Sequence, residues 1–375
     1  SWIDDLKIRA NYGMLGTSNI GEWDWLYLIN SFPQAIFGDQ INIGMTQVRL
    51  ANQDLKWEKL TQLNVGFDAM LFSNKLQLSL DYFLKETKDV LTPMQILRST
   101  GHSGDNPYVN AATLQNTGIE ISATWRDKIG NDLNYSVNVN GSYLKNEIKK
   151  LGYGLNEFNQ WDTKSKIGEP IGEWYLIKTN GIFKTMDEVN AHTNSKGQKI
   201  QPNAKPGDIR YEDYNDDGVI TDADRQHCGS TIPKFYLGMN LGLEYKGIDL
   251  QVQLAGAFGH KSFNGPRSGY DRFDDNSNYR ADYDPWTPEN PNAKDPRPLY
   301  ADSRNSRGDQ DRWLENGSYL KVKQIALGYS LPKSLLGDIF SQVRFYINAQ
   351  NLITFTSYKG LDPEFLNTNI WDRSY

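Results

Sequence analysis

Residues 75–85, KLQLSLDYFLK, place Leu76, Leu78, Leu80, Tyr82 and Leu84 on one side of an extended chain and Gln77, Ser79, Asp81 and Phe83 on the other. Successive side chains of a strand point to opposite faces, so this spacing gives a strand with one apolar face; a helix would scatter both sets around its circumference. The alternation recurs in TQLNVGFDAMLF, where Leu63, Val65, Phe67, Ala69 and Leu71 oppose Gln62, Asn64, Gly66 and Asp68. In GIEISATWR, Ile119, Ile121, Ala123 and Trp125 oppose Glu120, Ser122, Thr124 and Arg126, and in NYSVNVNGSYL the row Tyr135, Val137, Val139, Gly141, Tyr143 opposes Asn134, Ser136, Asn138, Asn140 and Ser142. Further rows are Leu237, Met239, Leu241, Leu243, Tyr245; Ile248, Leu250, Val252, Leu254; Ile325, Leu327, Tyr329; and Val343, Phe345, Ile347, Ala349. The second face is a series of Asn, Ser and Gln.

Short joints separate several of these runs, at Phe72-Ser73-Asn74-Lys75, at residues 127–132 and at Tyr245-Lys246-Gly247, as hairpins require. Long polar stretches separate others, at residues 151–172, 183–229 and 260–313, the last containing the proline-rich run DPWTPENPNAKDPRPLY. Strands of about 9–11 residues with a polar second face fit a tilted bilayer crossing better than a sandwich. Aromatic residues toward strand ends, among them Tyr82, Phe83, Trp125, Tyr143, Tyr245, Tyr329, Phe345 and Tyr346, suit a headgroup region. Tight turns on one side and long loops on the other match the asymmetry of outer-membrane barrels. The expected fold is therefore all-β, an antiparallel transmembrane β-barrel with long extracellular loops, of which this chain supplies about ten to twelve strands.

Composition is consistent with this and excludes other classes. The chain has 375 residues, 38% hydrophobic and 23% charged, and no run of about eighteen apolar residues that would form a membrane-spanning helix. Acidic and basic residues are mixed and the formal charge is -6, so no basic stripe exists to neutralise phosphates, and nucleic acid is not an expected partner. The single cysteine, Cys228, excludes an intrachain disulfide framework. Its neighbour His227 makes a two-ligand metal site conceivable, with an incidental loop pair as the plainer reading.

The sharpest local motif is DYNDDGVITDAD at residues 213–224. Side-chain oxygens fall at loop positions one, three and five (Asp213, Asn215, Asp217), with Gly218 at six and the Val219 carbonyl at seven. Ile220 at eight can anchor the loop in apolar contacts, Thr221 stands at nine and Asp224 at twelve. Such spacing can wrap oxygens around one hard cation, and Ca²⁺ is the expected ion in a structural role. Asp224 is shorter than the glutamate of the helix-loop-helix version of this loop, which shifts part of the load to Asp222.

Catalytic signatures are missing: there is no G-x-S-x-G, H-E-x-x-H, phosphate loop or dinucleotide fingerprint, so no enzyme is expected. Carboxylates such as Glu120 with Asp81, or Asp282 with Asp284, read as solvated charges. Trp161, Trp174, Trp286 and Trp313 lie in or beside the long stretches, where exposed indoles would stack on sugars, grip peptide side chains or contact a lid, and packed ones would only hold their own loops.

Several stretches, in order along the chain, resemble the SusC/RagA family of TonB-linked outer-membrane transporters of Bacteroidetes. They include NYGMLGTSNI (11–20), GFDAMLFSNKLQLSLDYFLKETKDVL (66–91), NTGIEISATWR (116–126), GEPIGEWYLIKTNGIF (168–183) and KPGDIRYEDYNDDGVITDADR (205–225). STIPKFYLGMNLGLEYKGIDLQVQLAGAFG (230–259), WTPENPNAK (286–294), SYLKVKQIALGYSLPKSLL (318–336) and NAQNLITFTSYKGLDPE (348–364) complete the set. The resemblance implies a plugged barrel of roughly 22 strands, multi-pass in the bacterial outer membrane. It also implies a SusD-like surface lipoprotein lid, energy from TonB–ExbB–ExbD, and import of oligosaccharides or oligopeptides. The acidic loop matches the family's DxNxDG stretch. Residues 1–375 are then expected to be the C-terminal part of the barrel, without the plug, the N-terminal extension domain and the final strand. The alternative is a β-rich surface module that binds or adheres without transporting.

Overall fold

The computed structural model describes residues 2–364 apart from 19, 32–33, 95, 97–98, 100–105, 153, 161, 273–277, 301 and 338–339. Its framework is a nine-stranded antiparallel sheet whose strands follow one another in chain order. They are Ile3–Thr17, Glu58–Leu71, Leu76–Pro93, Tyr108–Ile129, Leu133–Leu151, Phe235–Tyr245, Ile248–Phe258, Tyr319–Ser330 and Arg344–Thr356. The period-two rows set the register directly: Val65 faces Tyr82, Tyr82 faces Ile119, and Ile119 faces Tyr143. Further along, Tyr143 faces Phe235, Leu243 faces Leu250 and Leu327 faces Ile347. A one-residue slip at any pair would turn an apolar row to the polar side, so the alternation pins every pairing. Turns follow the same logic. Lys246 and Gly247 make a two-residue joint in which both have positive φ (46° and 84°), the conformation whose twist matches the flanking strands.

The expectation of a closed transmembrane barrel is not met. Among the described residues Ile3–Thr17 is bonded only to Glu58–Leu71, and Arg344–Thr356 only to Tyr319–Ser330, so the sheet is open with these strands as its two edges. Alternation dictates faces and neighbours but not closure, which depends on strand number and stagger around a whole ring. Among the described residues the sheet holds nine strands, fewer than the ten to twelve expected from the sequence. Among the described residues no helix is long and apolar enough to cross a membrane, a fact without bearing on strands.

The long stretches between strands are structured, which their composition did not suggest. Glu157–Gln160, Thr163–Lys166, Glu173–Ile177 and Arg225–Gly229 form a four-stranded sheet; Thr179–Ile182 pairs with Ile209–Tyr211, and Lys261–Phe263 pairs with Leu314–Asn316. Short helices at Met186–Ala191 and Gly265–Tyr270 complete this loop layer. The layer holds buried hydrophobic clusters: Trp174 and Trp313 are wholly buried against Leu176 and Phe263, and neighbouring clusters are Ile177, Ile209, Tyr211 and Phe183, Val189, Ala204. The large sheet, in contrast, leaves its apolar rows uncovered: Ile119 is 49% and Ile121 45% exposed, and Ile347 reaches 71%.

Candidate functional site

Two features of this architecture carry chemistry: the polar face of the sheet and the loop layer above it. On the polar face the residues opposite the apolar rows meet one another across strands. Asn138 takes the centre, donating to Thr124 Oγ1 (2.8 Å) and accepting from Asn240 Nδ2 (3.2 Å). At the first strand Arg9 reaches Asp68 (2.8 Å) and Asp81 (2.8 Å), and Ser79 donates to Asp68 (2.7 Å), so one guanidinium ties three strands. Asp81 and Glu120 are register partners, yet Asp81 is committed to Arg9, and nothing sets the two carboxylates up as an acid and base. These amides and ion pairs satisfy one another across the face, and the same groups would be costly against lipid.

In the loop at residues 213–224, local hydrogen bonds draw the alternate residues together. Asp213 accepts from the Gly218 N–H at 2.8 Å and the Asp217 N–H at 3.2 Å, and Asp217 accepts from the Val219 N–H at 2.8 Å. Asn215 accepts from Asp217 N–H (3.0 Å) and donates to its carboxylate (2.8 Å). Gly218 has φ +88°, a conformation any side chain would strain, which is why a glycine stands at the sixth position. Ile220 packs on the Ile177–Ile209–Tyr211 cluster and anchors the loop. Thr221 caps the short helix Asp222–Asp224. Asp224, fully buried, accepts from the N–H groups of Tyr214, Asn215 and Thr221. Asp222 points outward to Arg225 at 3.3 Å.

Among the described residues no three His, Cys, Asp or Glu side chains are gathered as a ready metal cluster. In the first half of the loop Asp213, Asn215 and Asp217 are held to one another and to the turn by hydrogen bonds. The closing carboxylate of Asp224 is already engaged by backbone amides.

The tryptophans divide. Trp161 lies outside the described residues. Trp174 donates to Lys261 O (3.0 Å) and Trp313 to Arg307 O (2.7 Å), and both rings are internal to the loop layer, out of reach of any ligand. Trp286 is half-buried over Gly207, where a β-carbon would sit 2.6 Å from the indole. His227 and Cys228 are adjacent strand residues and point apart: His227 Nδ1 meets Glu173 at 2.9 Å, while Cys228 packs on the Trp174 cluster. Burial pushes the Cys228 thiol up to about 11, which keeps it a neutral thiol within that cluster.

Sequence reasoning missed the buried ion network that braces the layer. Asp271 and Asp295, both almost fully buried, are held by Arg280 (2.7 and 3.2 Å) and Arg312, and Arg267 joins Glu315 at 3.3 Å. A second network places Asp162 against Arg225 (2.9 Å), where burial raises the carboxyl despite the opposing guanidinium. The partners lie far apart in sequence and leave no local pattern.

The two-faced sheet and its elaborated loop layer match a known family. The model described as "TonB dependent receptor-like, beta-barrel" fits residues 1–352. The chain belongs to the SusC/RagA-type TonB-dependent outer-membrane receptors. TonB-dependent receptor P3 of Formosa agariphila is 33% identical over 96% of this chain and 36% of its own length. TonB-dependent receptor SusC of Bacteroides thetaiotaomicron is 26% identical over 96% of this chain and 35% of its own. Among solved structures, the RagAB peptide transporter superposes with a TM-score of 0.79 at 26% identity, covering 97% of this chain and 38% of that one. The RagAB peptide importer in its 'open-open' state gives 0.76. This receptor thus spans a little over a third of the length of those relatives. Membership assigns it to the bacterial outer membrane and to a non-catalytic class of receptors.

Proposed function

We propose that the receptor acts in TonB-dependent import of oligopeptides or oligosaccharides, together with a SusD-like surface lipoprotein and energised by TonB–ExbB–ExbD. The observation that carries this reading is the likeness to the RagAB peptide transporter over 97% of the chain. The sheet supports it from physical chemistry. The apolar face lies against lipid and the amide-rich face toward water. Aromatic pairs mark both ends of the apolar rows, Tyr143 with Phe235 at one end and Tyr329 with Phe345 at the other. The strand Phe235–Tyr245 joins the two levels across about 33 Å of extended chain. The loop at residues 213–224 is proposed to hold Ca²⁺ through Asp213, Asn215, Asp217 and the Val219 carbonyl, with Thr221 and Asp224 fixing its closing turn.

Uptake tests the reading. Cells carrying the full-length gene are expected to accumulate labelled oligopeptide or oligosaccharide, and to lose that uptake when the gene or TonB is deleted. Uptake unchanged by both deletions would refute it.

A further inference from the structure

An asparagine followed by glycine can modify itself. The glycine nitrogen attacks the asparagine Cγ, and the missing β-carbon leaves that nitrogen unshielded. The N–Cγ bond forms, and the side-chain nitrogen leaves as ammonia with the proton of the glycine N–H. Water then opens the five-membered imide at either carbonyl, giving aspartate or its β-linked isomer, with no electron donor or acceptor involved. The reaction needs a yielding backbone and a side-chain amide free to swing onto it, so the fold decides which pairs react.

The sequence holds four such pairs: Asn140-Gly141, Asn180-Gly181, Asn264-Gly265 and Asn316-Gly317. Three of them are held in place. Asn140 and Gly141 sit mid-strand with register partners on both sides, Ser122 and Ile121 on one, Gly238 and Leu237 on the other. Asn264 is 2% exposed, and its side chain accepts from Arg267 N–H (3.0 Å) and donates to Glu315 (3.1 Å). The Asn316 side chain accepts from the Ser318 N–H at 3.0 Å, and the Gly317 N–H that would have to attack donates to His260 O at 3.1 Å.

Asn180-Gly181 lacks these restraints. Thr179 faces Tyr211 and Ile182 faces Ile209, so the two residues between them form a bulge without register partners, and both are exposed. Gly181 has φ +75°, and a β-carbon there would meet nothing within 4 Å, so ring closure has room. Among the described residues the Asn180 side chain has no hydrogen-bond partner, while its main-chain carbonyl accepts from Arg210 Nε at 2.9 Å. We propose that Asn180-Gly181 is a site of spontaneous deamidation, a mark that accumulates on the loop layer with the age of each molecule. The acid product sets a carboxylate beside Arg210. The β-linked product adds one backbone atom to the ribbon whose second strand, Ile209–Tyr211, leads into the loop at residues 213–224.

The test holds the full-length receptor folded at mildly alkaline pH and follows it by peptide mapping with mass spectrometry, which reads the mass gained when an amide becomes an acid. Position 180 is expected to convert roughly tenfold faster, or more, than positions 140, 264 and 316, whose hydrogen bonds must open first. In denaturant all four should convert at similar rates. Asn180→Gln, an exposed change that would need a larger ring to react, should abolish conversion at that position and leave the other three as in wild type. A smaller margin for position 180 in the folded receptor overturns the proposal. The same margin in denaturant overturns it too, because the difference would then come from flanking sequence and not from the fold.

Discussion

Replacing Trp313 with alanine should open the loop layer and leave the large sheet intact. The ring is wholly buried against Trp174, Leu176 and Phe263, and truncating a buried tryptophan costs about 3–5 kcal/mol. The indole N–H donates to Arg307 O at 2.7 Å, and losing that bond adds about 1 kcal/mol. The guanidiniums of Arg312 and Arg267, 5.1 and 5.9 Å from the ring, lose a cation–π partner as well. These losses overlap, so about 4 kcal/mol is a reasonable sum. Through sub-global opening that corresponds to amide exchange faster by about a thousandfold. Hydrogen exchange read by mass spectrometry on the full-length receptor should show this acceleration in Glu173–Ile177, Arg225–Gly229 and Lys261–Phe263, which pack on or bond to the cluster. Amides of Leu133–Leu151 should exchange as in wild type. An acceleration below tenfold, or one spread equally over all nine strands, would refute the assignment of the loop layer as a cooperative unit with its own core.

Three further outcomes are expected. Asp213→Ala combined with Asp217→Ala should abolish calorimetric Ca²⁺ binding at residues 213–224; binding equal to wild type removes the site. Arg225→Gln should destabilise the loop layer by about 3 kcal/mol, because Asp162 and Asp309 lose the cation 2.9 and 3.3 Å away and Asp162 is buried; protease susceptibility near wild type would contradict this. Burial depresses His192 and His260 below their ordinary value of 6.5. A depressed folded-state pKa contributes stability that is whole above 6.5 and lost as pH falls from there through the folded-state values, so proteolysis of the layer should rise below pH 6.5. Replacing both histidines with glutamine should flatten that rise, and an unaltered pH profile would refute the cause.

Much of the sheet was legible because its information is local. Each apolar row, such as Tyr135, Val137 and Val139, fixes a face by period two, and Lys246-Gly247 supplies the turn that sets the next register. The anchoring role of Ile220 was equally readable from its place in the loop. Closure was not legible, since nothing in a strand's alternation says whether the edge strand Ile3–Thr17 meets another strand. The loop layer was hidden for a different reason. Its core joins residues such as Trp174 and Lys261, bonded across 87 positions, and its charges form networks of Arg280, Arg312, Asp271 and Asp295 that look in sequence like ordinary solvated loop charges. Trp174 and Trp313 likewise carried no sign of facing inward.

Nitroxide scanning along Leu133–Leu151, in the full-length receptor with its native cysteines, Cys228 among them, replaced by serine and reconstituted in lipid, tests the two-faced sheet most directly. Labels at 135, 137 and 139 should collide mainly with oxygen dissolved in the bilayer, and labels at 134, 136, 138 and 140 mainly with a water-soluble nickel complex. Collision rates without a two-residue period, or odd positions shielded from both reagents, would contradict a sheet with lipid on one face and water on the other.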